Sequence, residues 1–149
     1  MYIVSACLAG INCRYDGKNS YNEKIDSLIK SGKAIPVCPE VLAGLGIPRE
    51  RTEIKANQSG KTCVLSFSGK NLTKEFEYGA EKTLEIAKLI GADKAIMKSK
   101  SPSCGFGKIY DGTFSGTLID GNGITCELLK NNGITVYTEN DIDKLELDK

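Results

Sequence analysis

Three short apolar runs punctuate this chain: Met1–Ala6 (MYIVSA), Lys33–Val37 (KAIPV) and Lys94–Met97 (KAIM). A cysteine follows each of them, as Cys7, Cys38 and Cys104. Runs of this length, bounded by turn signals, read as buried strands. Helical spacing fills the segments between them. Ile25, Leu28 and Ile29 repeat at helical intervals before Gly32, and Phe76, Ala80, Leu84 and Ala87 line one face of a longer helix from about Thr73 to Gly91. Strands and helices in alternation, joined by right-handed crossovers, give a parallel sheet covered on both faces. The expectation is an α/β fold, a single Rossmann-like three-layer domain over residues 1–149 with a mostly parallel sheet.

The remaining segments fill in that frame. Thr52–Ser68 reads as a small hairpin, inserted or at an edge, with its turn at Asn57-Gln58-Ser59-Gly60. Val41–Gly46 is a short turn or frayed helix, Ile124–Asn132 a helix, Thr135–Thr138 a last strand and Asp141–Leu147 a terminal helix. Thr73 is the expected N-cap of the long helix. Ser99–Gly123 reads as one long irregular stretch, dense in glycine. Its aromatic residues Phe106, Tyr110 and Phe114 favour a functional loop over a disordered one. Cys7-Leu8-Ala9-Gly10 stands where a dinucleotide-binding domain would carry its spaced glycines, so that function is not expected.

The chain has no histidine. That removes Ser-His-Asp and Cys-His catalysis and His-containing zinc sites together. Thiolate chemistry remains, with carboxylates and hydroxyls as helpers. Parallel strands share their carboxyl ends along one edge, where open α/β sheets bind ligands. Cys7, Cys38 and Cys104 are therefore expected to meet there, which points to an iron–sulfur or other thiolate-ligated centre. Cys63 and Cys126 lie among apolar neighbours and read as structural. With 20 basic and 19 acidic residues the net charge is +1, and no basic run suggests a large nucleic-acid footprint. The N-terminal run lacks a basic stretch and a small-residue cleavage site, and no eighteen apolar residues run together. A cytoplasmic chain without a membrane span is expected, with six reduced cysteines rather than a disulfide framework.

Around these thiols, Glu40 lies two residues from Cys38. A surface glutamate is the ordinary reading, and a partly desolvated acid or base the alternative. Ser101 and Ser103 stand in a Ser-Pro turn beside Cys104, where a hydroxyl could also donate to a substrate. Arg14 in Arg14-Tyr15-Asp16-Gly17 either caps a loop or holds an anion or a carbonyl. Gly121-Asn122-Gly123 is more simply a turn than an anion site.

Five segments together carry a resemblance: Ser5-Ala6-Cys7-Leu8; Cys13-Arg14-Tyr15-Asp16-Gly17; Pro36-Val37-Cys38-Pro39-Glu40; Ser101-Pro102-Ser103-Cys104-Gly105; and Ile109 to Gly116 (IYDGTFSG). In this order, across essentially the whole chain, they resemble the domain-of-unknown-function 523 family, which includes the thiouracil desulfidases. The resemblance implies a [4Fe–4S] cluster held by Cys7, Cys38 and Cys104 with one iron open. It implies Glu40 and Ser101 as the catalytic pair, and non-redox release of sulfide from a thiolated uracil or a related small thio-nucleobase or nucleotide. Two rivals accompany it. One is a non-catalytic metal-binding or redox-sensing protein in which Cys13 completes a closed centre. The other is a tRNA thionucleoside-processing enzyme, disfavoured by the near-neutral charge. An open site requires that Cys13 not be a ligand.

Overall fold

The structure, a computed structural model, describes residues 1–56 and 59–145. Its central sheet is built from β1 (Tyr2–Ser5), β2 (Ala34–Val37), β5 (Lys94–Met97) and β8 (Thr135–Thr138). They run parallel in the order β2-β1-β5-β8. Tyr2 pairs with Ala34 on one side and with Lys94 on the other, and Lys94 pairs in turn with Thr135. With all four strands in step, their carboxyl ends form one edge.

Alternation along the strands assigns the two faces of the sheet. Ile3, Ala95, Met97 and Val136 pack with Ala87 of α3 (Thr73–Leu89) and with Cys126 and Leu129 of α4 (Ile124–Asn131). Val4 and Ile96 point the other way, onto Ile25 and Leu28 of α1 (Glu23–Lys30) and onto Ile142 near the C-terminus. The mixed α/β, three-layer expectation is met. Among the described residues no helix is long and apolar enough to cross a membrane.

Two antiparallel hairpins stand apart from this sheet: β3 (Thr52–Ala56) with β4 (Thr62–Ser66), and β6 (Lys108–Tyr110) with β7 (Leu118–Asp120). Ile54, Val64 and Ile109 from these hairpins share a small core with Phe76 of α3. The first hairpin was expected, although Asn57 and Gln58 of its turn lie outside the described residues. The second corrects the reading of Ser99–Gly123 as wholly irregular. Its strands are three residues each and β7 is exposed throughout, so no period of two could mark it.

Smaller differences bear on the site. The first strand ends at Ser5, and Ala6–Ala9 form a single 3₁₀ turn that contains Cys7. The chain enters α3 at Leu72 rather than through a Thr73 cap, because the Thr73 hydroxyl accepts the Val64 N–H while Asn71 accepts the Thr73 N–H. Glu139–Lys144 form a 3₁₀ helix; residues 146 and 147 of the expected terminal helix lie outside the described residues.

Candidate active site

A cavity of ≈ 320 Å³ opens at the carboxyl edge of the central sheet, and Cys7, Cys13, Cys38 and Cys104 all line it. Each thiol arrives on a different local device. The 3₁₀ turn after β1 carries Cys7 and closes on Gly10, whose φ of 96° suits glycine. Cys38 stands at the junction of β2 and α2 (Pro39–Leu42). It is the N-cap residue, and Pro39 follows at the first helical position, where a missing N–H costs nothing. Cys104 ends a turn beyond β5 that the Ser101 hydroxyl braces by accepting the N–H groups of Ser103 and Cys104, at 3.1 and 3.0 Å.

That turn is bolted to α4. Ile124 donates its N–H to Pro102 O, and Thr125 donates to Ser103 O. The Ser103 and Thr125 hydroxyls share a buried hydrogen bond of 2.9 Å. The first N–H groups of α4 are thus spent on the Cys104 turn, which agrees with reading Gly121–Gly123 as a turn and not as an anion site. Gly123 is required by this closeness: a Cβ there would lie 2.4 Å from Ser103 O. Ser5 ties the end of β1 to β5, accepting the Lys98 N–H at 2.9 Å and donating to Met97 Sδ at 3.7 Å.

Burial pushes the Cys7 thiol up to about 11, against the opposing pull of Lys98, and raises Cys104 well above its ordinary value too. Cys38 differs. The neighbouring Cys13 thiol lowers the Cys38 thiol and is itself raised, by the pairing and by burial. The Cys38 thiol also lies 3.9 Å from the Cys13 carbonyl, which in turn accepts Arg49 Nη2 at 2.8 Å.

Two carboxylates line the same cavity. Glu40, on α2, has a side chain 15% exposed and pairs through Oε2 with Arg49 Nε at 2.9 Å. Its burial raises its pKa, and Arg49 opposes that rise. Glu40 Oε1 makes no hydrogen bond among the described residues. Glu53, on β3, engages both oxygens, with the Gly112 and Phe114 N–H groups on Oε1 and Arg51 on Oε2. Lys98 lines the wall as well, paired with Glu139 at 3.1 Å.

The cavity therefore gathers Cys7, Cys38, Cys104, Glu40 and Ser101, whereas Ser103, the other hydroxyl considered as a substrate donor, is buried against Thr125 and does not reach it. Cys63 is half-buried on β4 and bonds Lys55 O, while Cys126 sits in the core under α4. Arg49, Arg51, Glu53, Lys98 and Tyr110 also line the cavity and were not singled out as site residues. Only Tyr110 carried a signal, as an aromatic residue in a glycine-dense loop. The donor set suits a thiophilic group. Among the described residues no three cysteine or acidic side chains converge closely enough to hold a single ion. Three thiols delivered to one cavity by three separate segments suit a cubane, in which each thiolate binds a separate corner iron.

Comparison with known proteins gives three findings. The model of the 2-thiouracil desulfurase family matches residues 2–141. The protein YbbK of Bacillus subtilis (strain 168) is 44% identical over 150 residues, covering 97% of this chain and 99% of its own. Among solved structures, the [4Fe-4S]-dependent thiouracil desulfidase TudS superposes with a TM-score of 0.88 at 40% identity, over 98% of this chain and 95% of that one.

Proposed function

The chain belongs to the 2-thiouracil desulfurase family, and we propose that it hydrolyses the carbon–sulfur bond of thiouracil or a closely related small thio-nucleobase or nucleotide. Cys7, Cys38 and Cys104 would hold a [4Fe–4S] cluster. A thiocarbonyl and water become a carbonyl and hydrogen sulfide, and no atom changes oxidation state overall. The chemistry such a cluster supplies when bound is thiophilic Lewis acidity, which draws charge onto sulfur and leaves the carbon electrophilic.

The chain's own residues do the rest. Glu40 Oε1, free of partners among the described residues, takes the proton of the attacking water. Arg49 fixes the other oxygen and, through the Cys13 carbonyl and Gly46 O, ties α2 to the first loop. Ser101 Oγ already accepts two N–H groups, so the hydroxyl hydrogen is what it offers, and it donates to the substrate as charge develops there. We place the enzyme in the cytoplasm, a reducing compartment consistent with its six free thiols.

The observation that carries this reading is the meeting of three strand-end thiols and one ion-paired, half-free carboxylate in a single cavity. The test is anaerobic purification with iron and sulfide analysis, followed by incubation with 2-thiouracil. About four irons per chain and catalytic release of sulfide are expected. Fully loaded protein that releases no sulfide from any thiopyrimidine would refute it.

A second reading has one observation in its favour. Cys13 lines the cavity beside Cys38, so four thiolates could close the centre and make it a sensor. Retention of iron and turnover in Cys13→Ser would exclude that alternative.

A further inference from the structure

The second carboxylate of the cavity has no part in the chemistry above, yet its side chain is only 1% exposed. Burying a carboxylate is costly unless its oxygens are satisfied. The partners of Glu53 are not on its own hairpin alone. Oε1 accepts the N–H groups of Gly112 and Phe114, at 3.0 and 3.1 Å, from a loop some sixty residues further along the chain. That loop connects β6 to β7 and is closed at its base by Asp111 N–H donating to Thr117 O at 3.0 Å.

Other features point to the same docking. At Gly112, where φ is 93°, a Cβ would come within 2.8 Å of Lys55 Cβ and 2.9 Å of Ile54 O, so the loop backbone lies directly on β3. Phe114 adopts a positive φ of 58°, unusual for a non-glycine residue. Its ring meets Phe67 edge-on, with centroids 5.4 Å apart, and the Arg51 guanidinium lies 5.9 Å from its centroid. Tyr110, the residue at which the loop departs from β6, lines the cavity, and its phenol has no hydrogen-bond partner among the described residues.

We propose that Glu53 is a positioning residue: it latches the β6–β7 loop onto β3 and thereby holds Tyr110, at the base of that loop, on the cavity wall facing the flat heterocyclic substrate. This rests on the desulfidase reading for the substrate's identity, though the latch itself does not. Because both Glu53 oxygens are engaged, the side chain acts through the placement of Tyr110 and not on the reacting atoms. Its loss is expected to weaken substrate binding and to leave the bond-breaking step intact.

The test compares Glu53→Ala and Glu53→Gln in the cluster-loaded enzyme by amide hydrogen exchange over residues 110–117 and by kinetics on 2-thiouracil. In Glu53→Ala the loop amides should exchange about tenfold faster or more and KM should rise about tenfold, with kcat within about threefold and iron content unchanged. Glu53→Gln keeps an oxygen that can accept both N–H groups, so it should restore most of the protection and of KM. Tyr110→Ala should raise KM similarly, and combining it with Glu53→Ala should add little. Unchanged loop exchange in Glu53→Ala, a fall in kcat at constant KM, or additive effects in the double variant would each overturn the proposal. Should Glu53→Ala fail to fold, Glu53→Asp, one methylene shorter, carries the same comparison. A wild-type enzyme inactive on thiopyrimidines would refute the desulfidase reading alone, since exchange tests the latch without turnover.

Discussion

Hydrogen bonding separates the two carboxylates of the cavity. Glu40 has one oxygen on Arg49 and one without a partner among the described residues, while Glu53 has neither to spare. A proton acceptor needs the first arrangement. Glu40→Gln keeps the shape and removes the charge, so sulfide release should fall by about 10²-fold or more with iron content unchanged. Wild-type turnover in that variant would move the base elsewhere. Ser101→Ala removes both a proton donor and the brace on the Ser103 and Cys104 amides, so its loss of kcat should come with lowered thermal stability. Comparing turnover and melting in the same preparation separates the two contributions. Cys13→Ser removes the fourth thiol of the cavity. If the centre keeps an open iron, this variant should retain its iron and most of its turnover, as metal analysis and a sulfide assay would register.

Among the elements, the contact that matters most is between α4 and the turn bearing Cys104. Four N–H groups at residues 123–126 find acceptors on residues 102–105, and a buried Ser103–Thr125 hydroxyl pair locks the joint. Gly123→Ala would drive a methyl group into Ser103 O. Overpacking of this kind costs about 1–3 kcal/mol, and because it displaces the turn, iron loading should fall as well. Gly133→Ala is the control. Gly133 follows α4 with φ 82° and open space around its Cβ position, so alanine there should strain the backbone and lower the melting temperature while leaving iron loading alone. Equal iron loss in both variants would show that general destabilisation, not the joint, was being read.

Taken as a whole, the molecule should be steadied by what it binds. A group held only by the folded chain raises stability through mass action. Anaerobically loaded protein should therefore melt several degrees higher than the same protein after chelation, and serine at Cys7, Cys38 or Cys104 should abolish that difference while Cys63→Ser preserves it. Calorimetry of the five preparations checks this.

The sequence by itself determined the parallel α/β frame and the strands behind Cys7, Cys38 and Cys104. These rest on short-range periodicity and on the rule that parallel strands share their carboxyl ends. It also determined, by lacking histidine, that any metal chemistry here falls to thiolates. Only the tertiary structure decided which distant groups meet them. Arg49 reaches Glu40 and the Cys13 carbonyl, Glu53 reaches the Gly112 and Phe114 amides, and Lys98 finds Glu139. The β6–β7 hairpin escaped notice because an exposed three-residue strand carries no alternation. Each of those pairings joins segments that no local pattern relates. A strand's period is written in neighbouring residues, whereas a buried carboxylate selects its partners from whatever the packed chain brings within hydrogen-bonding distance.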